Sequence, residues 1–313
     1  MKPNSNNNSR YALITGATSG IGYELARLFA QGGYNLAIVA RSEERLQQVA
    51  DELTAAYGVQ VKTIASDLFR REAAKEIYDE LTREEIPISV LVNDAGQGEW
   101  GYFKDTDIDR ELDIIQLNIS SLVSLTKYFL KGMLERNEGK ILNLASLVSN
   151  YPSPLLSVYA GTKAFVLSFS EALRNELKNT NITVTALQPG VTDTDFFYKA
   201  GQEQTVAYQE TELANPAEVA KDGYDALMAG KDKVVSGMKN KMQAAMSNVL
   251  SDEKLASTMG KQNAPADAIK RTHSDHEASV KEREMIRSSG KTYKGRDLAH
   301  EDEEKYEQEH KVI

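Results

Sequence analysis

Tyr159 and Lys163 stand four residues apart in Val158-Tyr159-Ala160-Gly161-Thr162-Lys163, and Ser146 lies upstream of both. On a helix, positions i and i+4 share a face, so the lysine ammonium can sit beside the tyrosine hydroxyl. A free tyrosine has a pKa of about 10 and is a poor acid or base at neutral pH. A nearby cation favours the phenolate, and a shift of roughly three units corresponds to about 4 kcal/mol of differential interaction. A tyrosine tuned in this way can give and take protons. Taken alone, Y-x-x-x-K also describes an amphipathic helix with a solvated lysine, so the pattern needs support from elsewhere in the chain.

That support begins near the N-terminus. Residues 11–15 form a short apolar run, followed by Gly16-Ala17-Thr18-Ser19-Gly20-Ile21-Gly22 and an amphipathic stretch to about Gln31. This reads as strand, glycine-rich turn and helix. Such a turn lets the backbone approach a pyrophosphate closely, with the helix N-terminus supplying N–H donors and a positive dipole end. The spacing is T-G-x-x-x-G-x-G and not G-x-G-x-x-G. A tight turn needing glycine only for its dihedrals is the competing reading.

The elements that must position these residues alternate along the chain. Strands are predicted at 11–15, 35–40, 60–65, 89–93, 139–144, 183–188 and 233–236. Helices are predicted near 21–31, 43–57, 70–84, 107–136, 158–178 and 216–229. The alternation indicates βαβ units: an α/β, doubly wound Rossmann-type parallel sheet of about seven strands with helices on both faces. In such sheets ligands bind outside the carboxyl ends of the strands. The glycine turn, the Asn93 segment, Ser146 and Pro189-Gly190 all follow strand ends and can converge on one crevice.

Composition removes several alternatives. The 313-residue chain is 41% hydrophobic and carries a net charge of −9. The acidic balance argues against nonspecific nucleic-acid binding. No apolar run reaches the length of a membrane span, and the polar first ten residues lack a signal-peptide core. There is no cysteine, which excludes disulfides and thiolate chemistry and fits a cytoplasmic location. All four histidines (His273, His276, His300 and His310) lie in the last fifth of the chain, so the body has no imidazole for a Ser-His-Asp triad or a zinc site, and no metal is expected there. The expected organisation is a polar tail at 1–10, one catalytic domain at 11–250, and a charged, mobile or partly helical extension at 251–313 that is poor in large apolar residues.

With these features in order, the chain resembles the classical short-chain dehydrogenase/reductase family over roughly residues 10–250. The motifs are Thr15-Gly16 through Gly20-Ile21-Gly22, Asn93-Asp94-Ala95-Gly96, Asn118, Ser146, Tyr159 with Lys163, and Pro189-Gly190. One departure is visible: the family's usual N-N-A-G reads N-D-A-G, with Asp94 in second place. The resemblance implies hydride transfer between a nicotinamide and a carbonyl or alcohol carbon. Tyr159 is then the proton donor and acceptor, and Ser146 hydrogen-bonds the substrate oxygen. Lys163 tunes Tyr159 and binds the nicotinamide ribose. Asn118 holds a relay water, unless it is simply a polar helix residue bonding backbone. Ser149 and Ser153 compete with Ser146, which the family spacing favours.

For the cofactor, the resemblance assigns the turn residues Gly16, Ser19, Gly20, Ile21 and Gly22. It also assigns Asn93, Ala95 and Gly96 after the fourth strand and Pro189, Gly190 and either Thr192 or Thr194 after the sixth. Asp67 would accept from the adenine amino group, with backbone contact from Leu68; Asp67 could equally cap a helix beginning near Arg70. At the end of the second strand the position of a ribose-binding acid holds Ala40, followed by Arg41, whose guanidinium suits a 2′-phosphate. NADP(H) is therefore expected over NAD(H). The aromatic segments at Trp100–Phe103, Tyr151–Leu156 and Phe196–Tyr208 suggest a largely apolar small-molecule carbonyl or alcohol substrate. The loop 191–215 is long enough to close over it. The rival reading is a catalytically silent dinucleotide sensor or scaffold. Similar proteins form homodimers or homotetramers through two long helices, here 107–136 and 158–178.

Overall fold

The computed structural model describes residues 10–247 and 249–266. The chain divides into two compact units, Met1–Ala264 and Pro265–Ile313. Residues 1–9 of the expected polar tail, and the extension from 267 on with all four histidines, lie outside the described residues.

Seven strands, β1 (Tyr11–Thr15), β2 (Asn35–Ala40), β3 (Val61–Ala65), β4 (Ile88–Asn93), β5 (Gly139–Leu144), β6 (Ile182–Gln188) and β7 (Lys233–Val235), form one sheet. Every pairing is parallel, in the order β3-β2-β1-β4-β5-β6-β7. The order reverses at β1 and β4, which is the switch point where a doubly wound sheet opens a crevice.

The helices are α1 (Gly20–Gln31), α2 (Glu43–Tyr57), α3 (Ala73–Arg83), α4 (Ile108–Ile115), α5 (Leu122–Arg136) and α6 (Ser157–Glu176). They continue with α7 (Phe196–Lys199), α8 (Val206–Glu210), α9 (Pro216–Met228), α10 (Met238–Ser247) and α11 (Asp252–Asn263). Alternate strand residues pack on opposite faces. Ala12, Ile14, Leu36, Ile38 and Val92 meet Leu25 and Phe29 of α1, Leu46 and Leu53 of α2 and Val219 of α9. Leu13, Val39, Leu91, Ile141 and Val184 meet Ile77 of α3, Leu125, Phe129 and Met133 of α5 and Leu173 of α6. Each such side chain taken fully from water contributes about 1.5–3 kcal/mol.

Two departures from the sequence reading bear on the site. The long helix expected at 107–136 is interrupted by a wide turn of π-helix, Gln116–Ser121, which contains Asn118. The helix expected from about 70 begins at Ala73, after a turn in which Arg70 N donates to Asp67 O at 3.0 Å. The first compact unit also takes in α11, beyond Leu250, with Leu255, Met259 and Asn263 buried.

Candidate active site

The glycine turn is shaped by what lies beneath it. Gly16 has φ +71, a left-handed conformation that favours glycine, and its N–H donates to Val39 O at 2.9 Å. A Cβ at Gly22 would collide with Gly16 O and with Asp94 Oδ2. The Thr15 hydroxyl, at the end of β1, accepts from Asp94 N at 3.1 Å and Ala95 N at 3.0 Å, tying β1 to the segment after β4. Ser19 is the N-cap of α1 but makes no side-chain cap, so the hydroxyl does not satisfy the first N–H groups of the helix. Ile21 packs against the core. Thr194 Cγ2 lies 3.0 Å from the Cβ position of Gly20, which brings the segment after β6 across from the turn.

The catalytic candidates come together from β5 and α6. Ser146 caps the short 3-10 turn Leu147–Asn150: its Oγ accepts from Val148 N at 3.4 Å, and its N–H donates to Ser149 Oγ at 3.1 Å. The hydroxyls of both rival serines are engaged elsewhere. Ser149 Oγ donates to Lys163 O at 2.8 Å, and Ser153 Oγ accepts from Asn263 Nδ2 at 2.9 Å. The Ser146 hydroxyl acts on the phenol of Tyr159, whose ring packs at 5.0 Å from that of Phe196. Lys163 is buried, donates from Nζ to Leu144 O at 2.7 Å, and lies 5.8 Å from the Tyr159 ring centroid.

The electrostatics differ from the simple tyrosine–lysine expectation. Burial pushes the Tyr159 phenol up to about 12, and the group that pulls it down is the Ser146 hydroxyl, not Lys163. Burial also brings Lys163 down to about 8, opposed by the negative charge of Asp94. The Asp94 carboxyl is pushed up to about 7 by burial, against the pull of Lys163 and of the Gly22 N–H. The charge partner of Lys163 is thus Asp94.

Asn118 is fully engaged through its amide. Oδ1 accepts from Gln97 N at 3.0 Å, and Nδ2 donates to Gln97 O at 2.9 Å and Thr162 Oγ1 at 3.0 Å. Its side chain therefore clamps the loop after Gly96 to α6. A Cβ on Gly96 would stand 3.3 Å from both Asn118 Oδ1 and Lys163 Nζ. Asn93 turns inward: Nδ2 donates to Asn143 Oδ1 at 2.9 Å and to Thr126 Oγ1 at 3.1 Å. Asn143 passes the connection to Ser170 Oγ at 2.9 Å.

At the adenosine end, the Arg41 guanidinium stands 5.9 Å from the Phe69 ring centroid. Asp67 Oδ1 accepts from Phe69 N at 3.1 Å, so this acid caps its own turn and not a helix at Arg70. Leu68 points into the core and its carbonyl accepts from Ser121 Oγ at 2.7 Å. After β6, Pro189 O accepts from Leu147 N at 2.8 Å, and Gly190 has no room for a side chain beside Asn240. Thr192 Oγ1 donates to Gly190 O at 3.0 Å and Thr194 Oγ1 accepts from Phe196 N at 3.4 Å, so both stabilise this turn. The two hydroxyls are used alike, but Thr194 is the one facing the glycine turn.

Residues that the sequence reading missed complete the crevice. Gly98 admits the Tyr159 ring 3.3 Å from its Cβ position. Gln243 of α10 donates to the Tyr151 hydroxyl at 3.0 Å. Asn263 of α11 holds Pro154 O at 2.8 Å, and its carbonyl accepts from Trp100 Nε1 at 2.8 Å. Only the four-residue spacing of Leu255, Met259 and Asn263 pointed to α11, and α10 buries none of its residues. Among the described residues no helix is long and apolar enough to cross a membrane, and no cluster of three His, Cys, Asp or Glu is placed to hold a metal ion.

Comparison with known proteins agrees with this geometry. A family described as short chain dehydrogenase matches residues 10–205. A very-long-chain 3-oxoacyl-CoA reductase of Anas platyrhynchos is 43% identical over 185 residues, covering 57% of this chain and 58% of that protein. Sulfoacetaldehyde reductase 2 of Chromohalobacter salexigens is 35% identical over 218 residues, covering 68% of this chain and 86% of that one. Among solved structures, a short-chain dehydrogenase from Sphingobium yanoikuyae in complex with NADPH superposes with a TM-score of 0.69 at 29% identity, covering 78% of this chain and 96% of that one. The chain spans only a little over half the length of the oxoacyl-CoA reductases it matches, 58% and 53% for two of them.

Proposed function

The chain belongs to the short-chain dehydrogenase family, and we propose that it is an NADP(H)-dependent oxidoreductase that reduces a largely apolar carbonyl compound to the secondary alcohol. The observation that carries this reading is the convergence of Ser146, which lowers the Tyr159 phenol, and Tyr159 beside buried Lys163, across the crevice from the glycine turn. The residues fit a dinucleotide. The turn is wound so tightly that a Cβ at Gly22 would meet Gly16 O and Asp94 Oδ2, and it leads into the N-terminus of α1, whose N–H groups suit a phosphate. Gly16, Ser19 and Gly20 would hold the pyrophosphate, Arg41 the 2′-phosphate, and Lys163 with the Pro189–Thr194 segment the nicotinamide side. The complex of the Sphingobium yanoikuyae dehydrogenase with NADPH supports the same cofactor. When bound, the nicotinamide supplies or accepts the hydride.

The protein's own part is proton delivery and orientation. With its phenol pushed up to about 12, Tyr159 is protonated at neutral pH and serves as the acid for a developing alkoxide. Ser146 Oγ accepts from Val148 N, which directs its O–H toward the same oxygen. Gly98, Phe196 and the Asn118 clamp on Gln97 fix the Tyr159 ring and the floor beneath it. Phe196, which packs against Tyr159 and is backed by the buried rings of Phe197 and Tyr208, supports an apolar substrate, as do relatives whose names describe 3-oxoacyl-CoA reduction. A homo-oligomer assembled through α4, α5 and α6 completes this reading.

Tyr159→Phe tests it. Binding of NADPH should persist, and turnover in a screen of apolar ketones and 3-oxoacyl thioesters should fall by about 10²- to 10⁴-fold, the usual worth of a positioned acid. A wild-type protein that binds NADPH but oxidises none of it with any carbonyl would favour the silent-sensor reading.

A further inference from the structure

Asp94 occupies the one place where the glycine turn, the end of β4 and the α6 lysine meet. Its Oδ2 fills the space under the turn: 2.9 Å from the Cβ position of Gly16, and close enough to that of Gly22 to forbid a side chain there. The nearby Gly22 N–H favours its charged form, and its own N–H is fixed by Thr15 Oγ1 at 3.1 Å. The charged group that acts on it from α6 is Lys163; β1 offers the Thr15 hydroxyl, and the turn offers glycine backbone. Tyr159, the other titratable side chain of α6 in the crevice, is held neutral by burial. A carboxylate is thus built into the floor of a cradle whose backbone N–H groups suit an anion. When pyrophosphate docks above it, two negative charges share one small, poorly solvated space, and the weaker acid gains a proton.

We propose that Asp94 is a positioning residue that braces the glycine turn against Lys163, and that it takes up a proton when the dinucleotide binds, making cofactor affinity fall as pH rises above neutrality. The proposal rests on the dinucleotide reading of the site. The sign follows from linkage. Burial pushes the free carboxyl up to about 7. A docked phosphate raises that value further, so the complex holds a proton that the free protein has lost. Affinity is therefore fully present below the free value and declines above it, by at most tenfold per pH unit. Lys163 titrates in the same region and is coupled to Asp94. Removing the carboxylate also takes away the charge that holds Lys163 up, so the Asn variant reports on the pair through the loss of its acid.

The experiment is calorimetric titration of the full chain with NADPH, in buffers of different ionisation heat, from about pH 6 to about pH 9. Wild type is compared with Asp94→Asn, which keeps an oxygen beside the Gly22 N–H. The 2′-phosphate titrates equally in both, so the difference between them is the readout. The expected result is a substantial fraction of a proton taken up by wild type and not by the variant, with affinity falling several-fold per pH unit above neutrality only in wild type. Equal uptake and equal slopes would overturn the proposal, since a purely structural Asp94 would leave proton linkage unchanged. Should the variant fail to fold, NADH titrated into wild type reads the same proton without the 2′-phosphate, and absence of uptake overturns the proposal on its own. If wild type binds neither dinucleotide, the cofactor reading fails and the proposal with it.

Discussion

At the level of single residues, the site is charged against its own preference. Burial raises Asp94 to about 7 and lowers Lys163 to about 8, so each is driven toward its neutral form. The consequence for stability has a definite sign. Between an ordinary aspartate value of about 3.9 and its folded value, Asp94 keeps in the native state a proton that the unfolded chain gives up. Its contribution to stability therefore falls as pH rises through that window. Asp94→Asn removes this dependence. The melting temperature of the variant, relative to wild type, should climb between about pH 5 and about pH 7.5; thermal scans showing a constant difference would refute it. Tyr159 and Lys163 could be read from the sequence as neighbours on one helix face, and Ser146 only through the spacing that the family resemblance supplies. Their proton energetics could not. Spacing places the ammonium on the same side as the phenol, but the lysine chain is long enough to reach Leu144 O and answer to Asp94 instead. For Asn93 the motif reports its position after β4, while the direction of its amide depends on Asn143 and Thr126, far away in sequence.

At the scale of elements, β1 to β7 fall within about a residue of their sequence reading, because a buried parallel strand is a continuous apolar run bounded by turns. The π-helical turn Gln116–Ser121 was illegible, since one wide turn leaves the apolar stripe of the flanking helices nearly in phase. The loop 191–215 after β6 is long enough, from its sequence, to close over a substrate. It is an excursion with a stapled neck: Ala214 N donates to Val191 O and Asp193 N to Ala214 O, both at 2.9 Å, while α7 and α8 fill the span between. Phe196 on this span contacts Tyr159, so ordering of the crevice by NADPH should order the loop as well. A glutamate-specific protease should cut after exposed Glu210 and Glu212, and saturating NADPH should slow those cuts several-fold. Unchanged cleavage rates would separate the loop from cofactor binding.

At the scale of the whole molecule, scattered surface hydrophobics need no explanation, but grouped ones do. Ile108 and Leu112, 61% and 53% exposed, lie four residues apart on α4, and Phe165, 40% exposed, stacks on Phe169 along α6. α4 packs on α6, so these side chains belong to one pair of neighbouring helices. The same α6 carries Tyr159 and Lys163, which gives assembly through this face a means of stiffening the catalytic helix. A stable dimer needs about 1,200–2,000 Å² of total buried surface, more than three side chains supply, so a dimer through this face would have to pair the helices along their length. Leu112→Glu combined with Phe165→Glu places like charges opposite one another across any two-fold axis at this face. Light scattering should show the wild type as an oligomer and the double variant as a monomer, with turnover reduced in the monomer if α6 is stiffened by its partner. An unchanged mass would move the interface to another surface, and the exposed stripe of Met238, Met242 and Met246 on α10 would be the next to substitute.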